Sequence, residues 1–409
     1  MTGKNSDSKL ASLLKIGRPA QRLLASSGLV FGGFATSTVF VSLFFYVASG
    51  SVDEMALYGL GRYVGLIIIS GIIVKVFPQS SPRQLFRIGL ILTAAFYLLI
   101  IVLRTSAVGL VVPLGLFNGA AAGIYWFGNN TLAFDVLSPD ERSHYYGLSF
   151  AIMSILNVAM PLAGGLIISR VGGELGYVCV FGVSLVSFCL AWWTSRKLQT
   201  STGVGAVSMR HALIVPPRQR GWSFIWIAIA LHGFKQGGAD LGMIVLVELA
   251  THSSSDQGIY VSIASLAGVA SSVIAGRLPP LVRGRTMWIG ALGYGMALIL
   301  LLFGANFAIL LVYGLVSGFA YPGLMVSLSS VVLDVIASDP SAAQLRGEYV
   351  LSREIATNVG RIVAISLLIG LMWFLSVTAS ILVVLCVAAI FQLVAAFLGR
   401  HASLSLRLA

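Results

Sequence analysis

The chain has 409 residues, 57% of them hydrophobic and only 10% charged, with a formal net charge of +12. Soluble domains carry about 25% charged residues, so water is not the main solvent of this chain. Its positive charge is spread over short segments between apolar runs, a distribution that argues against a nucleic-acid-binding domain and leaves no sizeable soluble domain.

Apolar runs bounded by charge, Pro or Gly predict helices near 23–49, 53–76, 85–104, 107–136, 147–170, 175–195, 222–250, 256–278, 286–304, 306–336, 347–372 and 374–398. A span needs roughly 20 apolar residues, and a lipid-exposed backbone must satisfy its own hydrogen bonds, so each run is read as a membrane-crossing helix. The expected fold is an all-α membrane protein of about twelve transmembrane helices in two pseudo-symmetric six-helix bundles. Residues 1–22 form a cytoplasmic N-terminal tail, 23–195 the first bundle and 222–398 the second, with a C-terminal tail over 399–409. Between the bundles, 196–221 carries five basic residues and Pro216-Pro217, the composition of a flexible linker.

Charge orients these helices. With the N-terminus inside, the inward segments hold most of the Lys and Arg residues, whereas Arg104 and Arg170 fall outside. The positive-inside rule then puts both termini in the cytoplasm of a multi-pass protein, in the plasma (inner) membrane if the source is bacterial. Cys179, Cys189 and Cys386 lie within apolar runs with no paired spacing, and read as buried small apolar residues. No P-loop, GxSxG or HExxH motif occurs, so the expectation is a protein that is not an enzyme and needs no cofactor or metal.

The two halves repeat. Gly115–Val136 aligns with Gly314–Val335 without a gap, matching Gly115/Gly314, Gly119/Gly318 and Asp135/Asp334. Nearly the same offset pairs Gly33-Phe34 with Gly233-Phe234, which argues for duplication with both halves crossing the membrane in the same sense. In the fifth helix Pro161-Leu-Ala-Gly164-Gly165 looks like the end of an antiporter motif, with Leu156 and Met160 where that motif has glycines. Two six-helix halves, a basic central linker and this fragment together resemble the major facilitator superfamily. Other local motifs depart from the family pattern: Lys75 and Pro280 stand where its cytoplasmic loops have an acid, and Gly115 where its fourth helix has a proton-linked arginine. The resemblance implies that helices one, four, seven and ten line a central cavity.

An ionisable residue inside a span costs about 2.5–3.5 kcal/mol on insertion scales, so such residues face the bundle interior and mark function. Arg62 is one. In the seventh helix His232, Gln236 and Asp240 fall at i, i+4 and i+8 with Lys235 on their flank, and in the eleventh Glu354, Asn358 and Arg361 form a second stripe. The fourth helix offers Asn118, Tyr125 and Asn129, and the tenth Tyr321. Arg62, Lys235, Gln236, Arg361, Asn358, Asn118, Tyr125, Asn129 and Tyr321 are the candidate substrate-binding residues, and Glu354, Asp240 and His232 the candidate proton-coupling residues. Lys235 with Asp240 or Glu354, and Arg361 with Glu354, are candidate ion pairs. Three internal cations against two acids predict a site that prefers an anionic or amphipathic small molecule. The expected activity is secondary active transport by alternating access, proton-coupled, in a monomer surrounded by membrane lipids. Alternatives are a multidrug efflux pump or other antiporter, a flippase for lipid-linked substrates, and a non-transporting receptor or assembly factor.

Overall fold

The computed structural model describes residues 16–77, 80–137, 139–198, 221–277, 282–339 and 346–407, so most of the expected N-terminal tail and central linker lies outside the described residues. Every regular element among them is helical. The first half contains α1 (Arg18–Ser49), α2 (Val52–Val76), α3 (Pro82–Leu103), α4 (Val111–Val136), α5 (Pro139–Val171) and α6 (Gly173–Thr194). The second contains α7, in the pieces α7a (Trp222–Phe234) and α7b (Asp240–Thr251), then α8 (Ser254–Arg277), α9 (Arg283–Ala297), α10 (Phe307–Ala337), α11 (Arg346–Met372) and α12 (Val377–Arg407).

Ten described stretches are long and apolar enough to cross a membrane. One of them, Pro82–Ala133, is really α3 and α4 joined through a 3-10 turn at Arg104–Leu110; the twelfth span is α7, whose pieces are individually too short. The breaks have local causes. Gly50 takes φ 69° and its N–H bonds back to the Tyr46 carbonyl, closing α1, while the Ser51 hydroxyl accepts from the Asp53 N–H to open α2. Arg104 adopts φ 50° and ends α3 although the apolar composition continues. A Ser81/Gln84 capping box and Pro82 in the first turn start α3. The helices α1 and α12 extend beyond the predicted ends because hydropathy stops at the first charges while the backbone continues helical past them.

Pseudo-symmetry is visible in which helices touch. The pairs α1–α5, α1–α6, α2–α4, α3–α4 and α3–α6 recur as α7–α11, α7–α12, α8–α10, α9–α10 and α9–α12. Small residues make the tightest of these contacts possible: a Cβ at Gly119 would run into the Arg62 carbonyl of α2, and one at Gly318 into the Ala264 carbonyl of α8. The equivalent glycines thus serve the same helix crossing in both halves.

The halves join through α5 on α8, α2 on α11 and a narrower contact of α1 on α7b. These contacts crowd one end of the molecule. There Val52, Met55 and Ala56 of α2 sit inside the second half's hydrophobic cluster with Val245, Ile365 and Ile381. Ser262 of α8 donates to the Val158 carbonyl of α5 at 2.6 Å, and Gly165 and Gly258 lie against the backbones of Ser254 and Pro161. The cysteines correct the expectation of burial: all three are free thiols, and Cys189 and Cys386 are exposed on outward helix faces.

Candidate functional site

Among the described residues, two cavities within the bundle bear on function. The larger, about 330 Å³, is lined by α1, α2, α4, α5 and α8. Its wall is mainly apolar and aromatic (Phe31, Phe34, Trp126, Met153), with Thr38, Asn157 and Ser265 as neutral polar groups and Arg62 as its single charge. The Arg62 guanidinium has no carboxylate within 4.0 Å and no hydrogen-bond partner among the described residues. An uncompensated cation inside a membrane bundle is expensive, and its position at the cavity is the main electrostatic feature of this half.

The second cavity, about 200 Å³, is lined within the second half by the end of α7a, the π-turn after it, the later part of α10 and the first half of α11. His232, Gln236, Arg353, Glu354, Thr357 and Arg361 face it. Arg361 Nη2 and Nε donate to Gln236 Oε1 at 2.5 and 3.1 Å, and its Nη1 donates to Asn358 Oδ1 at 3.0 Å. Its guanidinium also lies 5.0 Å from the ring centre of Tyr63, beside Arg62 on α2, so the contact crosses between the halves. Every one of these partners is neutral. Glu354 does not pair with Arg361 as the sequence suggested; its nearest cation is Arg353 at 3.5 Å, an exposed and weak pair.

Since an arginine only donates, Arg361 fixes the Gln236 amide with its oxygen toward α11 and its nitrogen toward His232. That nitrogen sits 3.1 Å from His232 Nε2 and can only donate, so Nε2 accepts and the ring is neutral with its proton on Nδ1. The imidazole stacks on Tyr321 at 5.2 Å and an interplanar angle of 5°, with the Tyr321 hydroxyl 2.9 Å from Nε2. In this arrangement His232 orients Gln236, and through it Arg361.

The predicted stripe of His232, Gln236 and Asp240 does not persist along α7. Residues Lys235–Ala239 form a π-turn between α7a and α7b, and the Asp240 N–H bonds to the Lys235 carbonyl. One extra residue in the turn rotates everything beyond it, so Asp240 stands over Lys235 and pairs with it at 2.5 Å. Lys235 also covers the Tyr321 ring at 4.1 Å. Of the three internal cations, Lys235 is therefore neutralised, while Arg62 and Arg361 are not.

The α4 candidates lie apart from both cavities. Asn118 donates to the Tyr58 hydroxyl at 2.6 Å, Asn129 accepts from Ser27 at 2.9 Å, and Tyr125 is fully buried among Phe34, Phe86 and Trp126. The two asparagines tie α4 to α2 and α1, while the Tyr125 hydroxyl has no partner among the described residues. Met153 and Asn157 were not among the sequence candidates, although i, i+4, i+8 spacing places them on one face of α5 with Pro161 of the motif fragment; nor were Arg353 and Thr357, one helical turn apart and leading to Arg361.

Comparison with known proteins decides the family. The sequence profile of the Major Facilitator Superfamily matches residues 23–334. The chain belongs to that superfamily. It is 29% identical over 344 residues to the uncharacterized protein YqgE of Bacillus subtilis (strain 168), covering 84% of this chain and 80% of that one. Among solved structures it shares the fold of a bacterial homologue of the iron transporter ferroportin in its inward-facing state, with TM-score 0.70, 16% identity, and 94% and 98% of the two chains covered. The human organic anion transporter MFSD10 (TETRAN) superposes with TM-score 0.68 at 16% identity, covering 94% and 100%. A multi-pass transporter of this superfamily is what the fold describes.

Proposed function

We propose that the protein is a secondary active transporter that moves a small amphipathic organic anion by alternating access. The observation that carries this reading is Arg62: a lone guanidinium, without a carboxylate partner, at an otherwise apolar and aromatic cavity between the halves. An anion bound there supplies the missing counter-charge, while Phe31, Phe34 and Trp126 take an apolar or aromatic body. Arg361 is the second uncompensated cation and belongs to the other half. Tyr63 brings it beside α2, so one anion shared by Arg62 and Arg361 ties occupancy to the relative position of the halves.

With both termini in the cytoplasm of a plasma membrane, the end at which the halves join faces outward, which fits an inward-facing conformation. The bundles 23–195 and 222–398 then rock about the α5–α8 and α2–α11 contacts while residues 196–221 tether them. Glu354, at the inner cavity, is the first proton-coupling candidate; Asp240 is already held by Lys235. The aromatic wall also favours a second reading, export of amphipathic drugs irrespective of charge.

Counterflow in proteoliposomes tests the proposal. Vesicles loaded with an unlabelled aromatic carboxylate should accumulate the labelled compound, whereas the matched amide and amine should not exchange. Equal exchange of all three compounds would support the drug-export reading and sink the anion-specific one.

A further inference from the structure

At the end of the molecule where α3 begins and α6 finishes, five cations gather from three helices: Arg22 of α1, Arg83 and Arg87 of α3, and Arg196 and Lys197 just past α6. Their arrangement is built. Arg22 donates to the Lys197 carbonyl at 3.3 Å and Arg83 to the Leu198 carbonyl at 3.0 Å, which pins the end of α6 against α1 and α3. Each bond uses one of the five N–H donors of a guanidinium. Arg87 and Arg196 both lie over the Trp192 ring, at 4.6 and 4.7 Å, and Arg196 also lies 4.2 Å from the Trp193 ring centre. Arg87 Nε and Trp192 Nε1 have no acceptor among the described residues.

Among the described residues none of the five cations is ion-paired. No Asp or Glu occurs between Asp7 and Asp53, between Glu54 and Asp135, or between Glu174 and Asp240, the three segments that supply the cations. Below the cluster, an apolar face runs down both contributing helices. On α3 Arg87, Ile91, Leu98 and Val102 fall at i, i+4, i+11 and i+15, and the last three side chains are exposed. On α6 Val183, Val186, Leu190 and Trp193 form the matching exposed stripe that ends in Arg196. These helices pack on each other, so the two stripes bound one shallow outward surface with its charge at a single end.

The positive-inside rule accounts for basic residues at this end but not for guanidinium groups stacked over tryptophans atop a continuous apolar face. We propose that the ends of α1, α3 and α6 form a docking site for one anionic phospholipid, the phosphate-bearing headgroup resting among Arg22, Arg83, Arg87, Arg196 and Lys197 and the acyl chains lying along the α3–α6 face. Tryptophan and arginine at the headgroup level, with aliphatic residues beneath, match the polarity profile of a lipid from headgroup to tail. The headgroup supplies the acceptor that Arg87 Nε and Trp192 Nε1 lack among the described residues.

Native mass spectrometry and thermal unfolding of the whole protein, with phosphatidylglycerol against phosphatidylcholine in the same detergent, test this. The parent should retain phosphatidylglycerol preferentially and melt at a higher temperature with it. Each removed charge should weaken retention about fivefold, so Arg87→Gln with Arg196→Gln should lose about 25-fold, while Arg170→Gln at the opposite end should lose nothing. If the double variant does not fold, Arg196→Gln alone, an exposed position, carries the test through its about fivefold loss. Equal retention of the two lipids by the parent, or unchanged retention in these variants, overturns the proposal. Protection by inorganic phosphate equal to that by the lipid overturns it in favour of a free-anion site.

Discussion

Replacing Arg62 separates a binding role from a structural one, because the two predict opposite signs. The guanidinium lines the central cavity without a carboxylate, so removing its charge relieves an uncompensated cation in a membrane bundle. Arg62→Met should therefore raise the melting temperature of the ligand-free protein, or leave it unchanged. Against an anionic substrate the same change removes a charge-assisted hydrogen bond of about 1.5–3 kcal/mol, or about 10- to 150-fold in affinity. The Coulomb attraction at about 4 Å and an effective dielectric of about 20 is about 4 kcal/mol, an upper bound on that loss. Arg62→Lys keeps the charge but not the bidentate geometry and should fall in between. The assay is counterflow of an aromatic carboxylate in proteoliposomes, with unfolding of the same preparations followed in detergent. If Arg62→Met lowers the melting temperature by several degrees and impairs anion and neutral analogue alike, Arg62 is a structural residue and the anion reading fails.

Other predictions concern the remaining charges and the helix crossings. Asp240→Asn strands Lys235 and should destabilise the protein by about 1–2 kcal/mol, reduced from fully buried values because the Asp240 side chain is 52% exposed. Lys235→Met combined with Asp240→Asn should restore most of that loss in thermal unfolding; no restoration would mean that the pair is not what stabilises the π-turn. Glu354→Gln should abolish accumulation driven by a proton gradient while leaving substrate exchange intact, and equal pH dependence in variant and parent would remove Glu354 from the coupling role. Gly119→Ala drives a Cβ into the Arg62 carbonyl and should cost about 1–3 kcal/mol, whereas Gly182→Ala, with nothing within 4 Å, should be neutral or slightly stabilising. Similar melting temperatures for these two variants would show that the α2–α4 crossing can yield.

What the sequence made legible follows from what membranes make expensive. Run length and charge spacing predicted the twelve helices and the paired halves because an apolar span and a charged loop are separated by large transfer energies. The split between α3 and α4 was readable from Arg104 although the apolar composition on either side is nearly continuous. The π-turn in α7 was not. Gly237-Gly238 permits close approach of α11 and α12, but an extra residue per turn leaves no mark in a helical period, and so the stripe ending at Asp240 was drawn on the wrong face. Ion-pair partners were legible only in part: Lys235 does pair with Asp240, but spacing along α11 joined Arg361 to Glu354, whereas the neutral Gln236, Asn358 and Tyr63 surround it.

The same asymmetry separates the legible and illegible parts of the site. Arg62 and Arg361 stood out because a charge within a span demands an explanation, and both reach a cavity. Asn118, Tyr125 and Asn129 share one face of α4, but periodicity says only that residues share a face, not whether it meets a cavity or another helix; here Tyr58 and Ser27 meet the two asparagines. Trp126 is legible only as part of an aromatic run that suits an amphipathic drug, and Phe31, Phe34 and Met153 carry no mark as cavity residues, since an apolar side chain costs nothing in lipid, core or cavity wall. If the substrate is an amphipathic anion, its charge is recognised by the residues that are expensive to keep in a membrane, and its apolar body by residues that are cheap there. Exchanging Phe31 or Trp126 should then change which anions are carried while preserving the preference for anions, and that part of specificity emerges from three-dimensional placement.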